Sequence, residues 1–453
     1  ANNYYGNANL DDILTNNTFA EGSMVIGNMI KVPESGKVYN QRSGDDYTTI
    51  QAAINAAIAG DTILVGPGTY EEQLEINKPL TLLGPNAEIV GYSEDRVDEA
   101  IITYPEDVTD TREFLLLTAY TNDITVKGFS FENHTVNTTH LDATYEVYFN
   151  GENILFENNK LLLETNKAGL KIRGLGEEDA LDGDYDYTGA VVRGNYIEGL
   201  NGTSNTVYIQ GIGGTVEENV IVSDSVGIQV QPYSNLTGGI VQNNEISAYW
   251  FSIWHNSTSE GDAEWMYASN NITVREPLSV NQYIEKYGST YQDIFKWYGI
   301  RIYPSSPNIQ LLENTFDGST AFDSSGLVKD KWIDIVGIQF YTGLTEASIF
   351  NIEDNTVSNV TIGVMDDAGR ADLDLILAEN TFPEGFNVLG NQIKMLEDGK
   401  IYISNTGVEY ATIQAAIDAA TTGDTILLGS GEYKIPWNGN VGLKLYKSLN
   451  IIG

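Results

Sequence analysis

The residues best suited to chemistry lie close together between positions 293 and 303. Asp293, Lys296, Arg301 and Tyr303 combine a carboxylate with three side chains that could serve as a base. Removing a proton beside the carboxylate of a uronate sugar needs such a base, and a carboxylate-bound Ca²⁺ usually acidifies that proton. The pattern therefore indicates either a proton-abstraction site or an ordinary loop with scattered charges.

The densest acidic stretch offers a second candidate site. Asp182, Asp184 and Asp186 alternate with other residues and have a glycine between the first two. This spacing resembles a calcium-binding loop, although the full twelve-residue EF-hand pattern is absent. We predict either a structural Ca²⁺ site or a solvated acidic loop, and no other cofactor.

The three histidines complete the candidates for acid–base or metal chemistry. His134, His140 and His255 lie far apart in the sequence, so we interpret each as a surface residue and not as a base or ligand. The chain has no cysteine, which excludes disulfides and thiolate metal sites.

A group of large aromatic residues could form a binding surface. Such rings serve as platforms for sugars and as contacts between subunits, and some simply fill gaps in a core. All three uses remain open for the main candidates, which are Trp250, Trp254, Trp265, Trp297 and Tyr298.

Eight Asn-x-Ser/Thr sequons could carry glycans if the protein is exported. In a chain this rich in Asn and Thr, several would also arise by chance. They begin at Asn16, Asn133, Asn137, Asn201, Asn235, Asn256, Asn271 and Asn359.

Composition excludes two classes of partner. The 453-residue chain carries 63 acidic and 24 basic residues, giving a formal net charge of −39. Nucleic acids and anionic membranes require clustered basic residues, which are missing, and no apolar run approaches the length of a membrane span. We therefore expect no nucleic-acid binding and no membrane insertion, and we expect an acidic surface that attracts divalent cations.

A long internal repeat indicates how the chain is divided into the modules that position these residues. Thr49-Ile50-Gln51-Ala52-Ala53-Ile54 returns as Thr412-Ile413-Gln414-Ala415-Ala416-Ile417, an offset of 363. From residue 10 to residue 70 the offset holds without a gap, and roughly half of the paired positions are identical. We predict the last coils of one module over 1–39, a complete module over 40–402 and the start of a third over 403–453.

A shorter rhythm predicts how each module folds. Asn159, Asn195, Asn219 and Asn244 each lie beside an apolar pair, at steps near 25 residues, and Asn133, Asn271, Asn314, Asn355 and Asn380 continue the pattern. Short alternating runs such as Val207-Tyr208-Ile209-Gln210 lie between them. We therefore predict an all-β chain folded as a right-handed parallel β-helix, with the Asn amides bonded to one another between coils.

Short helices are expected at the start of each module. Ile50, Ala53 and Ile54 share one helix face, and Thr48 or Thr49 can cap its first turn. The equivalent segment follows 363 residues later. We predict cap helices over about 48–59 and about 411–422, each covering the open end of a β-helix.

The cap segment also resembles a known family. Tyr47-x-Thr49-Ile50-Gln51-Ala52-Ala53-Ile54, Gly60-Asp61-Thr62-Ile63-Leu64-Val65 and Leu80-Thr81-Leu82-Leu83-Gly84 resemble the pectin-lyase-like superfamily, especially the N-terminal segment of pectin methylesterases and of many prokaryotic surface proteins. The resemblance covers about 40 residues and implies the fold. The catalytic motifs of the methylesterases are absent: Gln292-Asp293 lacks its partners, and there is no Gly-Arg-Pro-Trp segment.

These patterns favour a structural role at the cell exterior over catalysis. Duplication of an entire module suits a surface layer, sheath, filament or long adhesin, whose partners would be further copies of itself and a cell-surface polysaccharide. The alternatives are a polysaccharide lyase or hydrolase and a carbohydrate-binding adhesin, both using the β-helix groove.

Overall fold

A computed structural model describes most of the chain, and three parallel sheets dominate it. The described residues are 9–20, 22–105, 116–133, 145–163, 168–174, 189–200, 205–211, 213–232, 238–257, 264–275, 295–304, 308–325, 329, 332–341, 349–435 and 442–453. Each coil contributes one strand to each sheet in turn, which makes the body a parallel β-helix.

Ten parallel strands form each wall of the β-helix. Wall A contains β7 (Leu74–Ile76), β10 (Leu117–Ala119), β13 (Tyr145–Asn150), β16 (Ala168–Arg173), β19 (Asn205–Gln210), β22 (Val226–Gln231), β25 (Phe251–Ser257), β28 (Phe295–Pro304), β31 (Trp332–Phe340) and β34 (Ile362–Asp366). Wall B contains β5 (Asp61–Val65), β8 (Leu80–Leu83), β11 (Ile124–Lys127), β14 (Ile154–Glu157), β17 (Ala190–Arg193), β20 (Gly214–Glu217), β23 (Gly239–Gln242), β26 (Glu264–Ala268), β29 (Asn308–Leu312) and β32 (Ile349–Glu353). Wall C contains β6 (Gly68–Glu71), β9 (Ala100–Thr103), β12 (Ser130–Asn133), β15 (Lys160–Leu163), β18 (Tyr196–Gly199), β21 (Val220–Ser223), β24 (Glu245–Ala248), β27 (Asn271–Val274), β30 (Thr315–Asp317) and β33 (Thr356–Ser358).

Alternation of side chains explains why these short strands form walls. In β14, Ile154 and Phe156 are buried in the interior, whereas Leu155 faces outward and is partly exposed. Parallel pairing in register, such as Ile154 with Ala190, stacks the inward residues of successive coils into one continuous core. Each fully buried aliphatic or aromatic side chain contributes about 1.5–3 kcal/mol, so the core grows with every added coil.

The predicted asparagine stack is present between walls B and C. The Asn195 amide donates to the Oδ1 of Asn219 at 2.9 Å, and the same bond joins Asn219 to Asn244 at 2.9 Å. The ladder continues through Asn270, Asn314, Asn355 and Asn380.

The prediction was wrong for two residues, Asn271 and Asn133, which do not belong to the stack. Asn270 occupies the ladder position, and Asn271 is exposed at the start of β27. The residue before each ladder Asn from Asn195 to Asn355 takes a positive φ, as Ser269 does at 53°, and this fixes Asn270 as the inward residue. Asn133 lies in β12, where its amide bonds to Glu146.

Helices cap the coils, although they are shorter than predicted. Helix α2 spans Ile50–Ala56, with Thr49 as its N-cap, and buries Ile50 and Ile54. The carboxylate of Glu72 accepts hydrogen bonds from the amides of Ile50 and Gln51 at 2.8 and 2.9 Å. Helix α4, at Ile413–Ala419, repeats the helix and its threonine N-cap, which is Thr412, but Ile435 stands at the position of Glu72.

Parallel coils were predicted for 1–39, but the described segments that precede each cap have a different structure. They consist of a helix and an antiparallel hairpin. The first set is α1 (Leu10–Asn16), β1 (Met24–Ile26) and β2 (Met29–Lys31), and the second is α3 (Leu373–Glu379), β35 (Phe386–Leu389) and β36 (Gln392–Met395). Strand β36 pairs antiparallel with β34, so the hairpin ends wall A where a further parallel coil would otherwise follow.

The remaining strands repeat the start of the module. Strands β3 (Val38–Asn40) and β4 (Asp46–Tyr47) pair antiparallel beside β5, and their counterparts are β37 (Ile401–Ile403) and β38 (Val408–Tyr410) beside β39 (Thr425–Leu428). Strand β40 (Asn450–Ile452) then pairs with β39 as β8 pairs with β5. A 3-10 turn at Ser319–Ala321 follows β30. No helix in the described part of the chain is long and apolar enough to span a membrane.

Candidate functional site

The outer face of wall A gathers most of the residues that could bind a ligand. Inward residues such as Ile253 and Ile300 alternate with outward ones, so Trp254 and Arg301 pair on the outside, and Arg301 pairs with Gln339 on the next strand. One outward column therefore runs through Tyr148, Lys171, Tyr208, Gln229, Trp254, Arg301, Gln339 and Met365.

Arg301 lies among aromatic rings on this face. Its guanidinium carbon is 3.9 Å from the ring centre of Tyr341 and 5.0 Å from that of Phe251. Burial lowers the pKa of Arg301 from its ordinary value, and the neighbouring Tyr298 and Tyr341 oppose that shift. Arginine remains charged under these conditions, so the residue offers a fixed cation and not a base.

Lys296 and Tyr303 each have a close partner on this face. The Nζ of Lys296 lies 2.8 Å from the Oδ2 of Asp334, and this bond raises the pKa of the lysine. Tyr303 stacks on Tyr341, with 5.4 Å between ring centres. Asp293 lies outside the described residues. Because Lys296 stays protonated in an ion pair, the geometry does not support it as the base of a lyase.

Several polar atoms on this face are buried without a hydrogen-bond partner among the described residues. Three of them lie on adjacent strands: the Nε1 of Trp254, the Nε of Arg301 and the Oε1 of Gln339. The Oδ1 of Asn150 and the Nε of Arg173, which pair between β13 and β16, are two more. Leaving a buried donor or acceptor unsatisfied costs about 1–3 kcal/mol, so a ligand that bonds to these atoms would gain affinity.

Lys171 lies among tyrosines on the same face. Its Nζ donates to the hydroxyl of Tyr145 at 3.0 Å and lies 4.4 and 4.7 Å from the ring centres of Tyr145 and Tyr208. Burial, assisted by the nearby charge of Arg173, lowers the pKa of Lys171 to about 8.

The candidate aromatic residues divide into two groups. Trp265 and Trp297 are almost completely buried, and the Nε1 of Trp297 donates to the Ser252 hydroxyl at 3.1 Å. Trp265 and Trp297 therefore pack in the core and are not available for contact with a partner. Trp250 is 44% exposed, Trp254 is partly exposed, and Tyr298 stacks on Phe251 with 5.2 Å between ring centres.

His255 corrects the prediction that every histidine lies on the surface. It is fully buried inside the solenoid, and its Nδ1 lies 2.6 Å from the hydroxyl of Tyr267. The sequence contained the signal, because His255 has the same inward phase as Val230 and Ile302 on the neighbouring strands. His134 and His140 lie outside the described residues.

The predicted metal and glycan sites are tested only in part. Asp182, Asp184 and Asp186 lie outside the described residues, as do Asn137, Asn201 and Asn235. Within the described ranges, no group of three or more His, Asp or Glu residues is arranged to hold a metal ion. Asn16, Asn271 and Asn359 are exposed and Asn256 is partly exposed, but Asn133 is buried against Glu146, so the folded chain does not present it.

Sequence reasoning missed Trp254 as an orphaned donor, and it missed Gln229 and Gln339 altogether. A signal was present. Aligning Gly227-Ile228-Gln229-Val230 with Gly299-Ile300-Arg301-Ile302 and Gly337-Ile338-Gln339-Phe340 places the polar residue of each run in one column.

Known proteins resemble this chain in architecture. No family model matches the sequence, and no curated protein matches it. The order of the strands in the three walls decides the architecture. The chain has a parallel β-helix fold.

Two solved structures of this fold are similar to it. A pectin methylesterase from Yersinia enterocolitica has 13% identity and a TM-score of 0.28, covering 71% of this chain and 79% of its own. The A-module of the mannuronan C-5 epimerase AlgE4 of Azotobacter vinelandii has 11% identity and a TM-score of 0.33, covering 77% of this chain and 91% of its own. At these values the likeness concerns the fold alone.

Proposed function

We propose that this chain is a structural protein of the cell exterior, built of tandem β-helix modules in a surface layer, sheath, filament or long adhesin. The observation that supports the proposal is a packed joint between modules, which occurs twice. At the first joint, Ile26 of the hairpin β1–β2 packs with Tyr39 of strand β3 and with Leu64 of the following module. At the second, Leu389, Tyr402 and Leu427 repeat this cluster, each 363 residues later.

Backbone contacts at the joint are repeated as well. The amide of Gly27 donates to the carbonyl of Gln41 at 2.7 Å, and the amide of Gly390 donates to that of Ser404 at 2.7 Å. A Cβ on Gly27 would lie 2.9 Å from the Cα of Gly44, and one on Gly390 would lie 2.9 Å from the carbonyl oxygen of Thr406. At both joints, therefore, two backbone segments of the chain pass closer to each other than a side chain would allow.

A joint of this kind favours a mechanical role. Contacts that fix both backbone and side chains would hold successive modules at one angle, as a stiff rod requires and a flexible linker does not. The negative surface would retain water and divalent cations, Ca²⁺ among them, and the exposed sequons could carry glycans. The partners would be other copies of the chain and a cell-surface polysaccharide. We propose no catalytic activity, because Lys296 is held in an ion pair.

Electron microscopy of material from the native source tests this proposal. Ten coils at about 4.8 Å give each module an axial length of about 50 Å, so we expect ordered polymers with a repeat of that size or slightly larger. Native material that contains only dispersed single particles would end the proposal.

Carbohydrate binding without catalysis is a second candidate, and the orphaned atoms on the outer face of wall A favour it. Trp254 and Arg301 offer a ring and two free N–H donors on neighbouring strands, a combination that suits a sugar chain. Titration with an oligouronate and with a neutral oligoglucan of equal length would measure binding and its charge preference.

Matched variants on this face sharpen that titration. Trp254→Ala should weaken binding at least tenfold, whereas Trp250→Ala, at an exposed position outside the column, should not. Release of unsaturated sugar products would show catalysis and contradict both candidates.

A further inference from the structure

We propose that wall B carries a lateral contact surface whose partner is a second, antiparallel copy of this chain. The surface, called the wall B patch below, is centred between β17 and β20. It consists of Leu155, Val191, Thr215 and Ile240, which face outward on four successive strands, together with Arg193 and Glu217.

The wall B patch holds most of the apolar residues in one outward column of the wall. Leu155, Val191 and Ile240 are partly exposed and follow one another up the wall with only Thr215 among them. Below them the column continues as Thr125 and Thr81, and above Ile240 it continues through Met266 to Gln310. The apolar stretch is therefore confined to the middle of the module.

Glycines border the apolar column on one side. Gly189, Gly213 and Gly238 immediately precede β17, β20 and β23. On the opposite side, the segment between β8 and β9 borders the patch, because the amide of Gly91 donates to the carbonyl of Gly194 at 2.7 Å. A second sheet can pack against such a face at about 10 Å.

Charge selects a copy of the chain as the partner. At a net charge of −39 two copies repel each other, so they can approach only where charges are balanced. The wall B patch is such a place: Lys127, Glu157, Arg193 and Glu217 alternate in sign up one column. Lys127 pairs with Glu157 at 2.8 Å, and Arg193 pairs with Glu157 at 2.6 Å and with Glu217 at 3.5 Å.

This order of charges is self-complementary under a two-fold axis. If the axis runs parallel to the strands, midway between β17 and β20, the two solenoids lie antiparallel. Strand β17 of one copy then faces β20 of the other, and β14 faces β23. Arg193 then faces Glu217 of the second copy, and Glu217 faces Arg193. The same operation places Leu155 opposite Ile240, an apolar pair, and Val191 opposite Thr215.

The contact should be weak in one module and strong in an array. Four strands at about 4.8 Å span only about 20 Å along the solenoid. A contact of that length buries much less area than the interface of a stable dimer. Tandem modules on one rod would engage many such contacts together, and their affinities would multiply. The inference rests on the proposed function only in this last step, since a single copy should still dimerise at high concentration.

Charge reversal combined with mixing tests the patch. Sedimentation equilibrium should show weak, reversible dimers of the wild-type chain at millimolar concentration. Arg193→Glu and Glu217→Arg should each weaken dimerisation about tenfold or more, because each places like charges opposite one another. An equimolar mixture of the two variants should restore dimerisation to within about threefold of wild type, because each copy then supplies the charge that the other needs.

The mixture separates the contact from a simple loss of folding, since both variants also lose the internal ion pair between Arg193 and Glu217. Lys400→Glu is the matched control, because it breaks the exposed 2.7 Å pair with Glu409 away from wall B and should leave dimerisation unchanged. A wild-type chain that stays monomeric, single variants that dimerise normally, or a mixture that does not recover would each overturn the proposal. Dimers without native polymers would instead count against the proposed function alone.

Discussion

The imidazole Nδ1 of His255 and the hydroxyl oxygen of Tyr267 are 2.6 Å apart inside the solenoid, where both side chains are completely buried. Trp265 lies against the same imidazole, with 6.0 Å between ring centres. Burial lowers the pKa of His255 to about 3 and raises that of Tyr267 well above its usual value. Both groups are therefore neutral in the folded protein near pH 7.

This pair predicts how the protein responds to acid. Unfolded His255 would titrate near its ordinary pKa of 6.5, so between pH 6.5 and pH 3 the unfolded chain binds one proton more than the folded chain. The stability that the neutral imidazole preserves is fully present above pH 6.5 and is lost as the pH falls toward 3. His255→Gln should remove up to about 1.4 kcal/mol per pH unit from the slope of the unfolding free energy in this window.

Urea denaturation at several pH values between 4 and 7 measures that slope. The other two histidines remain in the variant and act as internal controls. An unchanged slope would show that His255 is accessible to protons in the folded state.

The asparagine ladder predicts a sharp difference between two neighbouring residues. The amide of Asn270 donates to Asn314 at 2.9 Å and to the carbonyl of Val241 at 2.8 Å, and its Oδ1 accepts from the amide of Asn244 at 2.9 Å. Asn270→Ala should lower the free energy of unfolding by about 2–4 kcal/mol, because it leaves several buried groups unsatisfied.

Asn271→Ala is the control, since Asn271 is exposed and should change stability by about 0.5 kcal/mol or less. Thermal or urea unfolding of both variants gives the comparison. Equal losses, or a larger loss at Asn271, would show that the ladder has the other register.

The joint between modules predicts that one glycine is far more sensitive than another. Gly407 has a φ of 66°, and a Cβ on it would lie 3.1 Å from the backbone of Leu389 and Gly390. Gly399 has a φ of 73°, with nothing within 4 Å of such a Cβ. Both Ala variants carry the conformational cost of a positive φ, about 1 kcal/mol, but only Gly407→Ala should also force the hairpin away from the following module.

Hydrogen exchange at the amide of Gly390, which donates to Ser404 across the joint, measures this opening. We expect at least a tenfold loss of protection in Gly407→Ala relative to Gly399→Ala, while the ladder amides stay protected. Equal protection in the two variants would mean that the close approach does not hold the joint.

The two copies of the cap predict different sensitivity to loss of one carboxylate. Asp61 is buried and accepts from Arg42 at 2.6 and 2.9 Å, which holds its pKa well below the usual range. In the second copy Asn405 replaces the arginine and bonds to Asp424 at 3.1 Å. Asp61→Asn should therefore destabilise its cap more than Asp424→Asn, by roughly 1–3 kcal/mol at neutral pH.

The pH dependence has a definite sign. Because the folded pKa of Asp61 is depressed, the stability it provides is present above about pH 4 and is lost as the pH falls below that value. Unfolding measured at pH 7 and pH 3 should show the difference between wild type and Asp61→Asn shrinking at the lower pH. A constant difference would assign the effect to packing.

Local patterns in the sequence predicted the fold well because they repeat in every coil. The alternating run Val207-Tyr208-Ile209-Gln210, for example, lies in strand β19 as expected. The cap helices and most of the ladder also match, since Thr49 and the ladder asparagines act through neighbouring backbone. Asn270 escaped prediction because two asparagines stand together, and only the positive φ of Ser269 decides between them.

The candidate site was harder to predict because it depends on which side of the wall a residue faces. On wall A the alternation breaks: Phe251 belongs to an apolar cluster outside the core, yet both Ser252 and Ile253 are completely buried. A strict period of two therefore misplaces residues on one side of this break. The choice between core packing and a contact role for Trp297 stayed open for this reason, and the pairing of Lys296 with Asp334 depends on a bulge after Phe295.

The asparagine ladder stays continuous although its steps range from 24 residues, between Asn195 and Asn219, to 44, between Asn270 and Asn314. The extra length is therefore absorbed at the other two corners of the coil and in longer strands of wall A, such as the ten-residue β28. Those corners are natural places to graft foreign peptides, because an insertion there adds nothing to the rise of the coil. An engineered rod of these modules could display such grafts at regular intervals along one side.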